Sequence, residues 1–346
     1  MKARFSLNVI LLSSLLFIAI PFTGLSQEAG SCAETLKNAQ SLFDRGQVEK
    51  IPDVLRDCMK SGFKREEQLA AYKLLIQSYI LGDKLAEADS AMLAFLKQNP
   101  EYQLSPTDHA SFIYLYNSFN VKPVIQLVLH VGTNLPFVTF VTPESVSAEI
   151  ESWDYSSNAL NLFASLEAKY ALTPELEVNI EPGYSQLSFT NTEDWKFARV
   201  NYTETQHRLE IPLSVTYNFK TFGKFTAYAR AGAGPAFNLI SNAKKASYIE
   251  NGEINFEELS ASDIDRKDSR IKMDLFGQAG AGIKYKIPKG YLNFEIRLNL
   301  GIYNQIQTGG ESAELIWYYI DDDFNLNAVN FSFGYTQIFY KPSKRK

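Results

Sequence analysis

Residues suited to chemistry are scarce in this chain. Of 346 residues only three are histidines, His109, His130 and His207, and only two are cysteines, Cys32 and Cys58. A histidine-based triad has little material here. Zinc would need two more ligands than the cysteines supply, and His109 stands in no recognisable spacing to them. There is no phosphate-cradling glycine loop and no nucleophile elbow. Basic residues are not in excess either: 34 Lys and Arg stand against 39 Asp and Glu, a net charge of −5. That balance gives no reason to expect nucleic acid as a partner. No polar tract is long enough to imply disorder. The expectation is a chain with no catalytic residues, no cofactor and no metal.

Long apolar runs are missing after the N-terminus, so no transmembrane helix is expected there. The start, "MKARFSLNVILLSSLLFIAIPFTGLSQEAGSC", is different. Lys2 and Arg4 precede an apolar run that stops at Pro21, the layout of a secretory signal. Gly24-Leu25-Ser26 is the small-residue cleavage site, so residues 1–26 form the signal peptide. A lipoprotein reading would use Cys32, but "AGS" is a poor lipobox and lies far from the apolar run. Export also favours a single Cys32–Cys58 disulfide.

What is present falls into two regimes. Over residues 27–120 the apolar period is helical. "AETLKNAQSLFDRG" and "QVEKIPDVLRDCMKSG" predict two short helices, and "REEQLAAYKLLIQSYILGD" with "KLAEADSAMLAFLKQNPEY" predicts a helix hairpin. In an antiparallel pair the start of the first helix meets the end of the second, which brings Cys32 and Cys58 together. "SPTDHASFIYLYNSF" predicts a capping helix with Ser105 or Thr107 as N-cap. The hairpin resembles a tetratricopeptide repeat: Tyr72, Leu75, Tyr79, Ala88, Phe95 and Pro100 fall at its packing and terminating positions. Phe43 precedes Tyr79 by about one repeat length, so the first pair resembles a degenerate copy.

From residue 121 to 341 the period is two. Eight strands are predicted, near 123–134, 158–172, 175–190, 204–219, 224–240, 270–287, 291–305 and 327–341. Tight connections ("TPE", "KTFGK", "PKG") alternate with long polar stretches at 135–157, 191–203, 241–269 and 306–326. Short turns on one rim and long loops on the other describe an outer-membrane barrel. The basic tail 342–346 follows.

Alternation alone does not say which face looks outward. In "YLNFEIRLNLGIY" one face is Leu292, Phe294, Ile296, Leu298 and Leu300, and the other carries Glu295 and Arg297. The polar set over all strands is Glu167, Lys169, Glu177, Glu181, Arg208, Glu210, Arg230, Asp274, Lys284, Glu295 and Arg297, acids and bases in near balance. A lipid-facing Arg or Lys at mid-membrane costs roughly 2–4 kcal/mol. These groups are therefore expected to pair inside a narrow lumen, the apolar face meeting lipid. Aromatics gather at predicted strand ends, Phe189 among them, as an interfacial girdle requires. A phase slip with a bulge is expected at Pro182-Gly183.

The stretches "YARAGAGPAFNL", "GQAGAGIKYKIPKGYLNFEIRLNLGIYN" and "FSFGYTQIFY" resemble the outer-membrane β-barrel proteins of Bacteroidota, the PorT-like relatives of the OmpA-type barrel. The resemblance covers roughly residues 122–341 and implies a transmembrane barrel, while the helical domain in front departs from a minimal barrel and suggests a periplasmic contact module; the expected fold is α plus transmembrane β, a short helical domain and then an eight-stranded antiparallel barrel. The family carries no uniform catalytic motif. The expected role is non-enzymatic: an envelope anchor whose periplasmic helical domain binds an unidentified envelope protein, with long loops outside the cell. The alternative is a component of a secretion or outer-membrane assembly machine. An outer-leaflet enzyme comes third; the acidic Asp321, Asp322 and Asp323 read as a solvated loop.

Overall fold

The computed structural model of the protein describes residues 26–142, 150–157, 161–195, 198–249, 259–260, 264–307 and 322–345. All of the expected signal sequence but Ser26, and most of the 306–326 stretch, lie outside them. The chain divides into two compact units, one of Met1–Asn120 with Pro342–Lys346, the other of Val121–Lys341.

The first unit holds helices α1 (Ser26–Asp44), α2 (Ile51–Lys60), α3 (Arg65–Leu81), α4 (Leu85–Gln98) and α5 (Ala110–Asn117). Gly46, with φ of +75°, turns the chain after α1 in a conformation that costs glycine little. Cys32 in α1 and Cys58 in α2 form a disulfide with Cα atoms 5.6 Å apart. Ala39, Ile51, Leu55, Ala71 and Leu74 make one core, with Phe43 and Leu75 packed against it. Phe95 centres a second: its ring meets Tyr72, Tyr102 and Phe112 edge-on, at 6.1, 5.1 and 5.6 Å between centroids. Ala88 is fully buried. Pro100 is half-buried just beyond the end of α4.

Helix α5 starts later than the capping residues suggested. His109 is its N-cap, with Nδ1 accepting from the Ser111 N–H at 3.3 Å. Ser105 and Thr107 instead shape the turn before it, because Asp108 claims that turn. Its carboxylate accepts from the Ser105 N–H (2.7 Å), the Tyr102 hydroxyl (2.5 Å) and Lys73 Nζ (2.6 Å).

Among the described residues the second unit is one antiparallel sheet of thirteen segments. They are β1 (Phe119–Thr142), β2 (Ile150–Ser157), β3 (Asn161–Ala171), β4 (Leu176–Ile180), β5 (Gly183–Trp195), β6 (Ala198–Glu210), β7 (Leu213–Asn218), β8 (Phe225–Ile249), β9 (Leu259–Ser260), β10 (Ile264–Asp265), β11 (Met273–Ile287), β12 (Gly290–Gly301) and β13 (Asp323–Lys344). The order β11-β12-β13-β1-β3-β4-β7-β8 returns on itself because β8 also pairs with β11. The sheet closes like a barrel.

Thirteen segments stand where the sequence pattern counts eight strands. Part of the reason is proline, which removes a ladder donor. Pro182 separates β4 from β5, and Pro212 separates β6 from β7. Neither break changes the register: Ala168 faces Ile180 below Pro182 and Ser165 faces Gly183 above it. The phase slip expected at Pro182-Gly183 does not occur, since Glu177, Asn179, Glu181 and Ser185 all stay on the buried side. The stretch expected as a loop at 191–203 is mostly strand, with β5 and β6 paired from Gly183↔Glu210 to Trp195↔Ala198. β8 likewise runs on through Ile249.

Candidate functional site: the filled barrel interior and the helical groove

The outer wall settles which solvent the barrel meets. On β1, Ile125, Leu127, Leu129, Val131, Leu135 and Phe137 are exposed in alternation, and on β12 so are Leu292, Phe294, Ile296, Leu298 and Leu300. From Leu292 to Ile302, at roughly 3.3 Å per residue and with the tilt usual in such barrels, the apolar band is roughly 25 Å tall. That is the height of a membrane's hydrocarbon layer. Tyr170, Phe219, Phe222 and Phe225 are exposed near the short turns. Among the described residues no helix is long and apolar enough to cross a membrane, which says nothing of strands.

Inside, the eleven charged residues picked out by alternation are all buried. Arg230 is their centre. Its Nη2 meets Glu167 at 2.6 Å, its Nη1 meets Glu181 at 2.7 Å, and its Nε lies 3.2 Å from Glu295. Arg297 bridges the same Glu181 (2.8 Å) and Glu295 (2.7 Å). Glu167 also takes Lys169 at 3.1 Å and His130 Nε2 at 2.9 Å. Toward the short turns, Lys284 pairs with Glu177 at 2.8 Å. On the other side of the cluster Arg208 lies 3.6 Å from Asp274, and Glu210 is buried beside Arg208 with a hydrogen bond from Ser185. Each ion thus has an opposite charge beside it, the first condition under which buried charge is tolerated, while Lys169 Nζ and Arg230 Nε make ion pairs without a hydrogen bond.

Space for these side chains comes from glycines whose missing Cβ faces inward. A Cβ on Gly282 would sit 2.5 Å from the Tyr228 ring, and one on Gly334 would sit 2.8 Å from His130 Nδ1. The "AGAG" pattern is therefore two-sided, with glycine toward the lumen and Ala231, Ala233, Ala279 and Ala281 toward the outside.

Higher on the wall lies a tier that the sequence pattern did not reveal. Glu204, fully buried, receives Arg270 at 2.6 Å, the Tyr202 hydroxyl at 2.8 Å and Ser241 at 2.7 Å. The Arg270 guanidinium lies over the Phe324 ring at 5.6 Å. Phe324 joins Leu187, Phe189, Leu326 and Ala328 in an apolar cluster within the barrel. Phe189, expected in the outer girdle, is 1% exposed. Its inward turn follows from the unbroken phase of β4 and β5. Asp322 is buried and Asp323, which opens β13, accepts from Asn304 Nδ2 at 2.5 Å; neither is a solvated loop residue. Asp321 lies outside the described residues. His130, by contrast, belongs to the central ion cluster. Among the described residues no group of three His, Cys, Asp or Glu side chains could hold a metal.

The helical unit carries a groove of about 450 Å³ lined by Met59, Tyr72, Leu75, Tyr79, Ala91 and Ala94, with Ala86, Glu87 and Ser90 at its side. Tyr72 and Tyr79 have hydroxyls raised above the usual phenol range by burial.

No curated protein matches this chain in sequence. Several solved structures share likeness with it at low identity. Neisserial surface protein A is 12% identical over 64% of this chain and 99% of its own, with a TM-score of 0.32. The outer membrane protease OmpT from Escherichia coli is 8% identical over 64% and 98%, at 0.36. The attachment invasion locus protein Ail of Yersinia pestis is 11% identical over 62% and 99%, at 0.28. Residues 118–307, more than half of the chain, match a family described as the outer membrane protein beta-barrel domain. The apolar outer band and the charged interior are the chemistry that name requires, and this chain belongs to the outer membrane β-barrel domain family.

Proposed function

We propose that the protein is a non-enzymatic outer-membrane anchor whose helical unit, in the periplasm, binds an envelope protein. The observation that carries this reading is the interior. Arg230 and its carboxylates fill the lumen with paired side chains, so the barrel serves to hold rather than to conduct. On this reading the segments on either side of Pro182, of Pro212 and of residues 158–160 are single traverses. The wall then has eight, the number whose interior side chains alone can fill. The short turns face the periplasm and the long β5–β6 and β8 extensions face outward from the cell.

The work then falls to the helices. Their tetratricopeptide-like packing supports a groove that accepts an apolar-faced peptide segment, and Leu75, Tyr79 and Ala94 offer the apolar contacts. The resemblance to PorT-like barrels supports a narrower form, in which the partner is part of a secretion or assembly machine.

The test is a photo-crosslinking residue at Tyr79 in the full chain in intact cells. One stoichiometric adduct is expected, and Ala86→Arg, at the exposed side of the groove, should abolish it. No adduct, or large single-channel currents in planar bilayers, would overturn the reading.

A further inference from the structure

The barrel end that carries the short connections is lined by one sign of charge. Lys220 and Lys224 stand on the β7–β8 turn, Lys286 at the end of β11 with Lys289 in the turn after it, Lys341 on β13 and Lys122 on β1. These elements are neighbours along the wall. The Lys286 N–H donates to the Lys224 carbonyl at 2.8 Å, the Ile338 N–H donates to that of Lys289 at 3.0 Å, and β13 lies beside β1. Lys122, Lys220, Lys224 and Lys341 are exposed and pair with no acid among the described residues. The one exposed acid described at this end, Glu175 on the β3–β4 turn, accepts from the Thr173 hydroxyl at 3.1 Å. Overall composition does not explain the bias. The chain is net acidic at −5, and the stretches 135–157, 191–203, 241–269 and 306–326 carry three acids for every base.

Apolar surface is interleaved with this charge. The turn "FKTFGKF", residues 219–225, exposes Phe219, Phe222 and Phe225 between its two lysines. Gly223, at φ of +61°, reverses the chain, and Phe222 and Phe225 exchange backbone hydrogen bonds at 2.8 and 3.0 Å, so the display is held by the backbone. The Lys224 ammonium lies 6.0 Å from the centre of the Tyr285 ring. From this we infer that the short-turn rim is a docking surface for anionic phospholipid of the leaflet around it. The ammoniums meet headgroup phosphates while the phenyl rings sit among the acyl chains. A soluble polyanion would match the lysines but leave three phenyl rings in water. A zwitterionic lipid would cover the rings but bring a phosphate that already has its own cation. An amphiphile of net negative charge satisfies both. The inference uses the barrel alone and stands whatever the helical unit binds and whichever way the barrel faces.

The experiment reconstitutes the full-length protein in phosphatidylcholine bilayers and compares spin-labelled phosphatidylglycerol with spin-labelled phosphatidylcholine of the same chains by electron paramagnetic resonance. The protein-bound fraction should favour phosphatidylglycerol several-fold, and high salt should reduce that preference. Changing Lys122, Lys220, Lys224 and Lys341 together to Gln should bring the preference close to parity while heat-modifiable gel mobility stays unchanged. Should that variant fail to fold, Lys220→Gln with Lys224→Gln should still lower the preference about twofold. Lys272→Gln, just before β11 at the other end of the barrel, should leave it as it was. Inorganic phosphate, exchanged for chloride at equal ionic strength, should not displace the lipid. Parity between the two lipids in the unmodified protein, displacement by phosphate, a preference unmoved by the lysine variant that folds, or an equal loss in Lys272→Gln would each overturn the assignment.

Discussion

The two ends of one sheet obey opposite rules. In the lower part Leu209, Leu213, Val215 and Tyr217 point out while Arg208, Glu210, Ser214 and Thr216 point in. In the upper part Leu187, Phe189, Phe324 and Leu326 point in, and the half-exposed outer side carries Gln186, Thr190, Thr192, Thr203 and Thr205. β5, β6 and β13 hold one phase across the two, whereas β8 slips by one residue at a bulge opposite His207/Arg208, where Leu239 and Ile240 are both exposed. On the unslipped strands what changes is the solvent. Below, hydrocarbon surrounds the wall and charge must be hidden; above, the outer face is polar, and the interior combines the Phe189–Phe324 apolar cluster with the buried Glu204–Arg270 pair. The Tyr184 hydroxyl and His207 Nδ1, 2.5 Å apart on the outer side, stand where one regime gives way to the other.

The contrast can be broken most severely at its centre. Arg230→Met leaves Glu167, Glu181 and Glu295 short of their shared cation, and should cost about 3–5 kcal/mol in denaturant unfolding from detergent. Changing those three acids to Gln in the same protein should recover much of the loss. Next comes Leu166→Arg on the lipid side of β3, expected to cost about 2–4 kcal/mol in a bilayer refolding titration.

The helical unit offers a third comparison, a part-buried Lys73–Asp108 pair outside the barrel. Asp108→Asn should cost about 1.5–3 kcal/mol in thermal unfolding of the helices, the worth of hydrogen bonds to an ion. Burial pushes the Asp108 carboxyl up, but Lys73, the Tyr102 hydroxyl and the Ser105 N–H outweigh it and hold it below the usual carboxylate range. Its contribution is therefore complete above that range and lost as pH falls through the lowered value. Burial lowers Lys73, yet Asp108 and Tyr102 leave it raised, so its share persists through neutral pH and disappears only as pH climbs past the ordinary lysine range. Circular dichroism against pH should show both limits. The smallest effect belongs to Asn242→Arg, exposed on the upper part of β8, within about 0.5 kcal/mol in the assay used for Leu166→Arg.

The order of helices followed by an antiparallel sheet was legible because the apolar period changes from helical to two. The side on which each charge lies was also legible, for parity alone determines it. Which acid meets which base was not, because that depends on register between strands far apart in sequence: Arg230 to Glu295, Lys284 to Glu177. The upper wall misled for a different reason. "TNTEDW" and "ARVNYTETQ" have polar residues on both sides, which reads as loop, yet a strand in water needs no apolar outer face. The apparent slip after Pro182 has the same origin: polarity reversed while geometry continued. Glu204 and Arg270 escaped notice because they sit where loop was expected. The alternation of Glu204, Gln206, Arg208 and Glu210 was the signal that could have found Glu204.

The partners of Arg230 come from β3, from the break after β4, and from β12, elements far apart along the chain. No isolated hairpin contains both the guanidinium and enough carboxylate to neutralise it. A half-built wall would have to carry bare ions through oil, at a penalty it has no means to offset. Closure of the last seam is therefore also the step that completes the charge balance of the wall.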